Sequence, residues 1–271
     1  MEMNPEIIKY YTNSRVELNR LNMRSLFEKV RTQQIIQRYL PKTSLRILDV
    51  GGAIGVYSLW LSNMGHEVHL IDPVPLHVDE AKKQSQQSNR PLSSINLGEA
   101  RGLEFEDNYF DIVLLFGPLY HLIQKKERIA ALLESKRVTR KGGTMFCAVI
   151  SRFAFLFDVF FNGIMEVNDK SIDSIERHIN SGQIRSSNES PGSFTTAYAH
   201  QPDELKEEIA AAGLNLERLI AIDGFAWFLA NFEQKWQNDE YKNSLLKISQ
   251  SIESNESVLG TSAHIMAVVT K

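Results

Sequence analysis

Three glycines and an acid stand close together in the stretch ILDVGGAIG at residues 47–55. Gly51, Gly52 and Gly55 would let the backbone approach a ligand closely and adopt positive φ. They follow a strand-like apolar run, and a helix that begins after them would offer its unpaired N-terminal amides to a ligand. Asp49 would repel a pyrophosphate, but it could accept a hydrogen bond from an amine. The stretch therefore predicts a floor for a cationic or uncharged ligand.

Two common nucleotide-binding loops do not fit this spacing. A dinucleotide loop, G-x-G-x-x-G, would place glycines where Ala53 and Val56 stand. A P-loop requires G-K-S or G-K-T shortly after its first glycine, and neither sequence follows here. The glycines therefore indicate another kind of ligand.

The glycine cluster resembles the first motif of the class I S-adenosylmethionine-dependent methyltransferases. That motif, D/E-x-G-x-G-x-G, lies over Asp49, Gly51, Ala53 and Gly55, with Ala53 in place of the central glycine. The resemblance continues through further motifs and spans roughly residues 40–150. It implies a methyltransferase that uses S-adenosyl-L-methionine and releases S-adenosyl-L-homocysteine.

The resemblance also implies roles for the later motifs. Asp72 stands where an acid ends the family's second strand and binds both ribose hydroxyls, the alternative being that it caps the helix after Pro73. The segment GEARGLEFEDNYFDIVLLFGPLYHL at 98–122 is similar to the family's third-strand acid and fourth strand. Glu99 would face the adenine or remain a solvated loop acid, and Phe116 would lie beside the sulfonium or belong to the core. The predicted cofactor site comprises Asp49, Gly51, Gly52, Ala53, Gly55, Asp72, Pro73, Glu99, Ala100, Arg101, Phe116 and Gly117.

Two side chains directly after the predicted fourth strand could act on the methyl acceptor. Methyl transfer is an in-line displacement, so the protein must supply proximity, alignment and, for a hydroxyl or ammonium acceptor, a base. Histidine changes its protonation near neutral pH, so His121 is the candidate base and Tyr120 would orient the acceptor. The alternative is that Tyr120 shapes the cofactor pocket and His121 caps the next helix.

The sequence favours a small-molecule acceptor. GPLY at 117–120 lacks the D/N-P-P-Y/F motif of enzymes that methylate adenine in nucleic acids, and the net charge of -3 gives no overall attraction to a polyanion. Cys147 lies within a predicted strand, which indicates a small buried hydrophobe instead of a nucleophile. Two alternatives stay open. One is an RNA or protein methyltransferase that uses the basic N-terminal segment, and the other is a non-catalytic regulatory protein that binds S-adenosylmethionine.

The elements that must position these residues alternate between strands and helices. Strands are predicted at 45–50, 67–72, 93–98, 110–117, 142–150, 214–223 and 262–270, and helices at 56–65, 75–88, 125–139, 202–213 and within 226–254. This alternation predicts an α/β fold, doubly wound, with a mainly parallel seven-stranded sheet and helices on both faces.

Four segments are expected along the chain. They are an N-terminal helical cap at 1–42, a Rossmann-like cofactor-binding core at 43–150, an inserted lid or substrate segment at 151–200, and a C-terminal completion of the same sheet at 201–271. The lid is expected to hold a helix and a flexible Ser/Asn/Gly-rich loop at 181–193. Its five phenylalanines either line an apolar acceptor pocket or pack the lid onto the core. They are Phe153, Phe155, Phe157, Phe160 and Phe161.

Composition points to a cytoplasmic protein. The chain starts without the apolar region of a secretory signal, and no apolar run approaches the ~18 residues of a membrane span. A single cysteine excludes a disulfide within the chain and any cysteine-based metal cluster, and no metal site is expected. The sequence does not indicate an oligomeric state.

Overall fold

One seven-stranded sheet forms the centre of the protein. A computed structural model describes residues 4–14, 23–163, 166, 168–184 and 194–271. The sheet's strands are β1 (Arg46–Val50), β2 (Glu67–Asp72), β3 (Ser94–Leu97), β4 (Phe110–Phe116), β5 (Thr139–Ile150), β8 (Asn215–Ala221) and β9 (His264–Thr270). They lie in the order β3-β2-β1-β4-β5-β9-β8, and β9 runs antiparallel to both of its neighbours. A separate two-stranded ribbon pairs β6 (Gln183–Ile184) with β7 (Ala197–Tyr198).

Helices pack on both faces of the sheet and extend from its ends. In chain order they are α1 (Pro5–Ser14), α2 (Met23–Gln37), α3 (Val56–Asn63), α4 (Pro75–Gln87), α5 (Pro118–His121), α6 (Lys125–Val138), α7 (Ala154–Asn162), α8 (Asp169–Ser181), α9 (Pro202–Ala211), α10 (Phe232–Trp236), α11 (Asp239–Ile252) and α12 (Glu256–Leu259), with a 3-10 turn at Gly224–Phe228. The central strands are buried on both sides, which explains their continuous apolar runs. Within the described residues, no helix combines the length and apolar character needed to cross a bilayer.

The predicted fold class is confirmed, and the differences are local. β5 begins at Thr139, three residues before the predicted strand, and continues from α6 without a loop. The expected flexible loop contains Gln183–Ile184, which form β6, while its residues 185–193 lie outside the described part of the chain. Two-residue strands and α8 were missed because so short a ribbon leaves no periodicity, and because the sequence of α8 is mostly polar.

Parallel pairing brings the ends of three strands to one edge of the sheet. Val50, at the end of β1, pairs with Ile71 on one side and Leu115 on the other. The residues that follow β1, β2 and β4 therefore meet at the carboxyl edge. The antiparallel β9 starts at this edge as well, because His264 pairs with Ile150 at the end of β5. Loops from four strands can thus contribute to one site.

Buried ion pairs attach the N-terminal helices to the rest of the fold. Arg31 of α2 donates to Glu253 at 2.5 Å, and Arg38 also donates to Glu253. Arg31 is fully buried, so the carboxylate of Glu253 has to compensate its positive charge. The pairs fix α2 above the carboxyl edge of the sheet.

A second buried network attaches residues 194–200 to the core. Arg128 of α6 donates to Glu208 of α9 at 2.7 Å, and His200 lies 3.2 Å from the same carboxylate. The guanidinium of Arg128 also stacks on the ring of Tyr198 at 3.7 Å. Nearby, Arg152 donates to Glu204 at 2.6 Å. Each charge of this network faces an opposite charge, as burial requires.

We expect Glu208→Ala to destabilise the protein by about 3 to 5 kcal/mol, because Arg128 would keep a buried charge without its carboxylate. Urea unfolding measures the loss. Glu207→Ala is the matched control, since Glu207 forms an exposed pair with Lys125, and it should change stability little. Equal losses in the two variants would contradict a structural role for the buried pair.

Candidate active site

A cavity of about 440 Å³ lies over the carboxyl edge of the sheet. Its floor is formed by the residues that follow β1, β2 and β4, and its far wall includes residues of α1, α2 and β9. Ten of the residues predicted from the sequence line it: Asp49, Gly51, Gly52, Ala53, Asp72, Pro73, Phe116, Gly117, Tyr120 and His121. The predicted cofactor loop and the predicted acceptor residues therefore share one space.

The glycines after β1 are required by the close packing of the loop. A Cβ on Gly51 would lie 2.8 Å from Cδ of Pro118, and one on Gly52 would lie 2.8 Å from the carboxylate of Asp49. Gly51 also has a φ of 77°. Ala53 has a φ of 47°, so the residue that replaces the family's central glycine holds the left-handed conformation despite its side chain. The substitution therefore leaves the loop in a glycine-like shape.

The carboxylate of Asp72 holds the loops after β1 and β2 together. Its Oδ2 accepts from the backbone N–H of Ala53 at 2.9 Å. Its Oδ1 accepts from the backbone N–H of Val74 at 2.9 Å and lies 3.0 Å from Nδ1 of His77. The capping alternative is wrong, because α4 begins at Pro75 with Val74 as its N-cap and without a side-chain cap bond. The bond from Val74 instead closes the turn before α4, and Asp72 also lines the cavity. Asp72 can therefore hold the loop and still offer lone pairs to a ligand.

Asp49 is an almost fully buried acid that faces the cavity. Burial raises the pKa of its carboxyl to about 7, although a hydrogen bond of 2.6 Å from the Ser58 hydroxyl to Oδ2 works in the opposite direction. Its Oδ1 has no hydrogen-bond partner within the described residues. A buried acceptor without a partner is costly unless a ligand satisfies it. The site therefore fits a ligand that brings a cationic or hydrogen-donating group to Asp49, as an amino-acid ammonium would.

The residues predicted to contact the adenine are not among the described residues that line the cavity. Arg101 donates to Glu99 at 2.7 Å and to Glu127 at 2.7 Å, and Ala100 is packed in the core. Gly55, the N-cap of α3 with a φ of 88°, is also not among the residues that line the cavity. The adenine role of this segment stays a prediction.

An aromatic wall borders the end of β4. The ring of Tyr57 meets that of Phe116 edge to face at 5.5 Å, and both rings line the cavity. Phe116 also packs against the core, as one of the two alternatives had it, and its place beside a sulfonium stays a prediction. Gly117 has a φ of 121°, which turns the chain into α5 and brings Tyr120 to the cavity. The electron-rich face of such rings attracts a cationic ligand group.

His121 lies beneath the N-terminal helix. The hydroxyl of Tyr11 lies 2.9 Å from its Nε2, and the ring of Phe194 stacks on it at 5.9 Å. Burial lowers the pKa of His121 to about 4, so the imidazole is neutral at physiological pH. Base catalysis is most effective when the pKa of the base lies near the working pH. This geometry favours a structural role for His121 in fixing Tyr11, and the catalytic role stays a prediction.

Two segments distant in sequence cover the cavity beside His121. Tyr10 of α1 meets the ring of Phe194 edge to face at 5.9 Å, and the hydroxyl of Thr196 donates to Glu6 at 2.9 Å. Thus α1 and residues 194–196 contact each other over the site.

Sequence reasoning missed a histidine and carboxylate pair on the far wall. His264 lines the cavity, and its Nδ1 lies 3.0 Å from Oδ2 of Asp223. His77, beside Asp72, was missed too. The available signal was that Asp223 ends the aliphatic run LIAID, just as Asp49 and Asp72 end theirs.

The lid phenylalanines are not part of the cavity wall within the described residues. Phe157 and Phe161 pack on Phe228 at 4.9 and 5.2 Å, and Phe160 and Phe161 are 58% and 61% exposed. Phe157 therefore fits the alternative that these phenylalanines pack the lid onto the core. Phe160 and Phe161, also on α7, lie at the surface. Cys147 is buried as expected, and burial raises the pKa of its thiol to about 12.

The raised pKa of Asp49 predicts a pH-dependent effect of Asp49→Asn. Between its unfolded value of 3.8 and about 7, the folded protein binds more protons than the unfolded chain, so this group lowers stability as the pH rises. We expect D49N to gain on the order of 2 kcal/mol relative to wild type between pH 5 and pH 8. Urea unfolding of the ligand-free proteins measures it, and a difference that does not vary with pH would contradict the burial argument.

Comparison with known proteins agrees with this geometry. The family model of a methyltransferase domain matches residues 48–147. The ubiquinone biosynthesis O-methyltransferase of Cereibacter sphaeroides is 29% identical over 128 residues, which cover 45% of this chain and 50% of that protein. The ubiquinone/menaquinone biosynthesis C-methyltransferase UbiE of Zymomonas mobilis is 30% identical over 160 residues, which cover 52% of this chain and 63% of that protein. The chain thus spans about half the length of the first of these relatives.

Solved structures share the whole fold. A SAM-dependent methyltransferase from Methanosarcina mazei superposes with a TM-score of 0.60 at 16% identity, covering 88% of this chain and 96% of that one. At this identity the likeness concerns the fold alone. Over residues 48–147 the chain therefore matches a methyltransferase domain, within a fold that it shares with this solved structure.

Proposed function

We propose that this chain transfers a methyl group from S-adenosyl-L-methionine to a small-molecule acceptor. The observation that carries the proposal is the single cavity that joins Asp49, the glycine loop and Asp72 to Tyr120, His121 and the helical cover. The bound cofactor would supply an electrophilic methyl group on a sulfonium. The protein's own residues have to bind it, align the acceptor and exclude water.

The floor of the cavity would hold the cofactor. Asp72 would accept hydrogen bonds from the ribose hydroxyls, because its position is fixed by Ala53, Val74 and His77. Asp49 would accept from the ammonium of the amino-acid portion, which explains a buried oxygen that otherwise lacks a partner. Phe116 would lie near the sulfonium.

The far part of the cavity would hold the acceptor. Its apolar lining consists of Ile7, Leu26, Ala148, Ile222 and Met266. A space of about 440 Å³ fits a cofactor and a compact organic molecule better than a folded macromolecule. The relatives named for ubiquinone and menaquinone biosynthesis support an acceptor of this size.

The two alternatives from the sequence have less support. An RNA methyltransferase would use the basic N-terminal segment, but Arg31 and Arg38 of that segment are committed to Glu253. A non-catalytic binding protein was suggested by Ala53, but Ala53 takes the left-handed conformation that the loop requires. We therefore favour the enzyme.

Asp72→Asn should weaken binding of S-adenosylhomocysteine by about 10- to 100-fold, because the variant loses the charge that strengthens hydrogen bonds from the ribose. Isothermal titration calorimetry measures the affinity. Asp79→Asn is the matched control, since Asp79 is exposed on the adjoining α4, and it should bind as wild type does.

Two results would contradict the proposal. One is that the wild-type protein binds neither S-adenosylmethionine nor S-adenosylhomocysteine at high micromolar concentration. The other is that D72N and D79N bind equally well. Incubation of cell extracts with isotopically labelled methyl donor then tests catalysis, because a binding protein without activity would label nothing.

A further inference from the structure

His77 stands on the wall of the cavity with one of its ring nitrogens committed to Asp72. The residue lies in the first turn of α4, and only 4% of it is exposed. Its Nδ1 lies 3.0 Å from Oδ1 of Asp72, the acid that ends β2. Because His77 also lines the cavity, it is a neighbour of any ligand that reaches that carboxylate.

The carboxylate decides which ring nitrogen carries the proton. An ionised carboxylate can only accept, so Nδ1 of His77 is the donor in this pair, and Nε2 of the neutral ring keeps its lone pair. Nε2 makes no hydrogen bond to a described residue, and it is not one of the unpartnered polar atoms that the fold seals off. It is therefore an acceptor that opens onto the cavity.

Packing against α1 fixes the ring. Tyr11 of α1 meets the ring of His77 edge to face at 5.3 Å. Ile7 and Tyr11 form a buried cluster with Val74, and Leu76 packs against this cluster. The turn that leads into α4 is thus packed under α1, which holds the imidazole in one orientation.

Asp72 has few lone pairs left for a ribose. Three donors already use its carboxylate, namely the backbone N–H groups of Ala53 and Val74 and the Nδ1–H of His77. A carboxylate has about four lone-pair positions, so about one is left, on the Oδ2 that accepts from Ala53 alone. A ribose brings two hydroxyls on adjacent carbons. The second hydroxyl therefore needs a further acceptor.

We propose that Nε2 of His77 accepts a hydrogen bond from one ribose hydroxyl of the cofactor, while Oδ2 of Asp72 accepts from the other. The inference rests on the proposed function and adds a binding residue to it. The hydroxyl that donates to His77 still lies beside the carboxylate, because the two hydroxyls are neighbours on the sugar. The two acceptors together select a ribonucleoside, since a missing hydroxyl leaves a buried acceptor without its donor.

The other histidines of the cavity wall do not offer this acceptor. His121 has its Nε2 against the hydroxyl of Tyr11. His264 lies 3.0 Å from Asp223 in a similar pair, but β8 and β9 are separated from β2 by β1, β4 and β5 in the sheet. Only His77 stands beside the acid that ends β2.

Two substitutions separate the roles of the two ring nitrogens. In His77→Asn the amide nitrogen can take the place of Nδ1 and still donate to Asp72, but nothing replaces Nε2. In His77→Gln the amide oxygen can reach the place of Nε2, but nothing replaces Nδ1. A contact with the ribose therefore affects H77N more, and a purely supporting role toward Asp72 affects H77Q more.

Calorimetry with S-adenosylhomocysteine and its 2′-deoxy and 3′-deoxy analogues measures the contact. We expect H77N to bind S-adenosylhomocysteine about 3- to 10-fold more weakly than wild type, the range of one hydrogen bond. It should match wild type for the analogue that lacks the contacted hydroxyl, and H77Q should lose less than H77N. His69→Asn is the matched control, because His69 contacts Ser94 and Glu67 and does not line the cavity, so it should bind all three ligands as wild type does.

A second measurement does not depend on the variants. In wild-type protein labelled with ¹⁵N-histidine, residue 77 should show a protonated Nδ1 and a bare Nε2. Saturating S-adenosylhomocysteine should shift the Nε2 signal in the direction that a new hydrogen bond produces, and the analogue without the contacted hydroxyl should not. An Nε2 signal that stays in place when S-adenosylhomocysteine binds would overturn the proposal.

Each outcome of the calorimetry bears on a stated claim. An H77N variant whose losses are equal for S-adenosylhomocysteine and both deoxy analogues would overturn the ribose contact and leave His77 as a support of Asp72. An H77N variant that binds S-adenosylhomocysteine as tightly as wild type would overturn the contact as well. Failure of the wild-type protein to bind S-adenosylhomocysteine would overturn the proposed function itself.

Discussion

The carboxylate of Asp72 is the interaction on which the candidate site depends. It joins the loop after β1, through the amide of Ala53, to the turn before α4, through the amide of Val74. Parallel pairing of β1 with β2 brings the two loops together, and the carboxylate fixes their distance. A cofactor bound there would meet a hollow that already has its shape, which lowers the ordering cost of binding.

Electrostatics divide the cavity into two parts. At the floor, burial raises the pKa of Asp49 to about 7, and a cationic partner would favour the ionised carboxylate. At the cover, burial leaves His121 neutral beneath Tyr11. His264, which lies 3.0 Å from Asp223, also lines the cavity, as do apolar side chains such as Ile222 and Met266.

The sequence predicted the sheet because buried strands and amphipathic helices leave distinct patterns, and it predicted the floor because Asp49, the glycines and Asp72 occupy a contiguous ordered motif. It did not identify His264 and Asp223 as a pair, because 41 positions separate them in the chain and only the antiparallel pairing of β8 with β9 brings them together. The basic N-terminal segment shows the opposite error. The sequence left it open as a binding surface, but its Arg31 is paired with Glu253, which lies 222 positions away.

The most direct test of the account is a crystal structure of the protein with S-adenosylhomocysteine. The account predicts density for the nucleoside over the glycine loop, with the ribose hydroxyls within hydrogen-bonding distance of Asp72 and the ammonium against Oδ1 of Asp49. Density seated elsewhere, or an empty loop at saturating ligand, would contradict it.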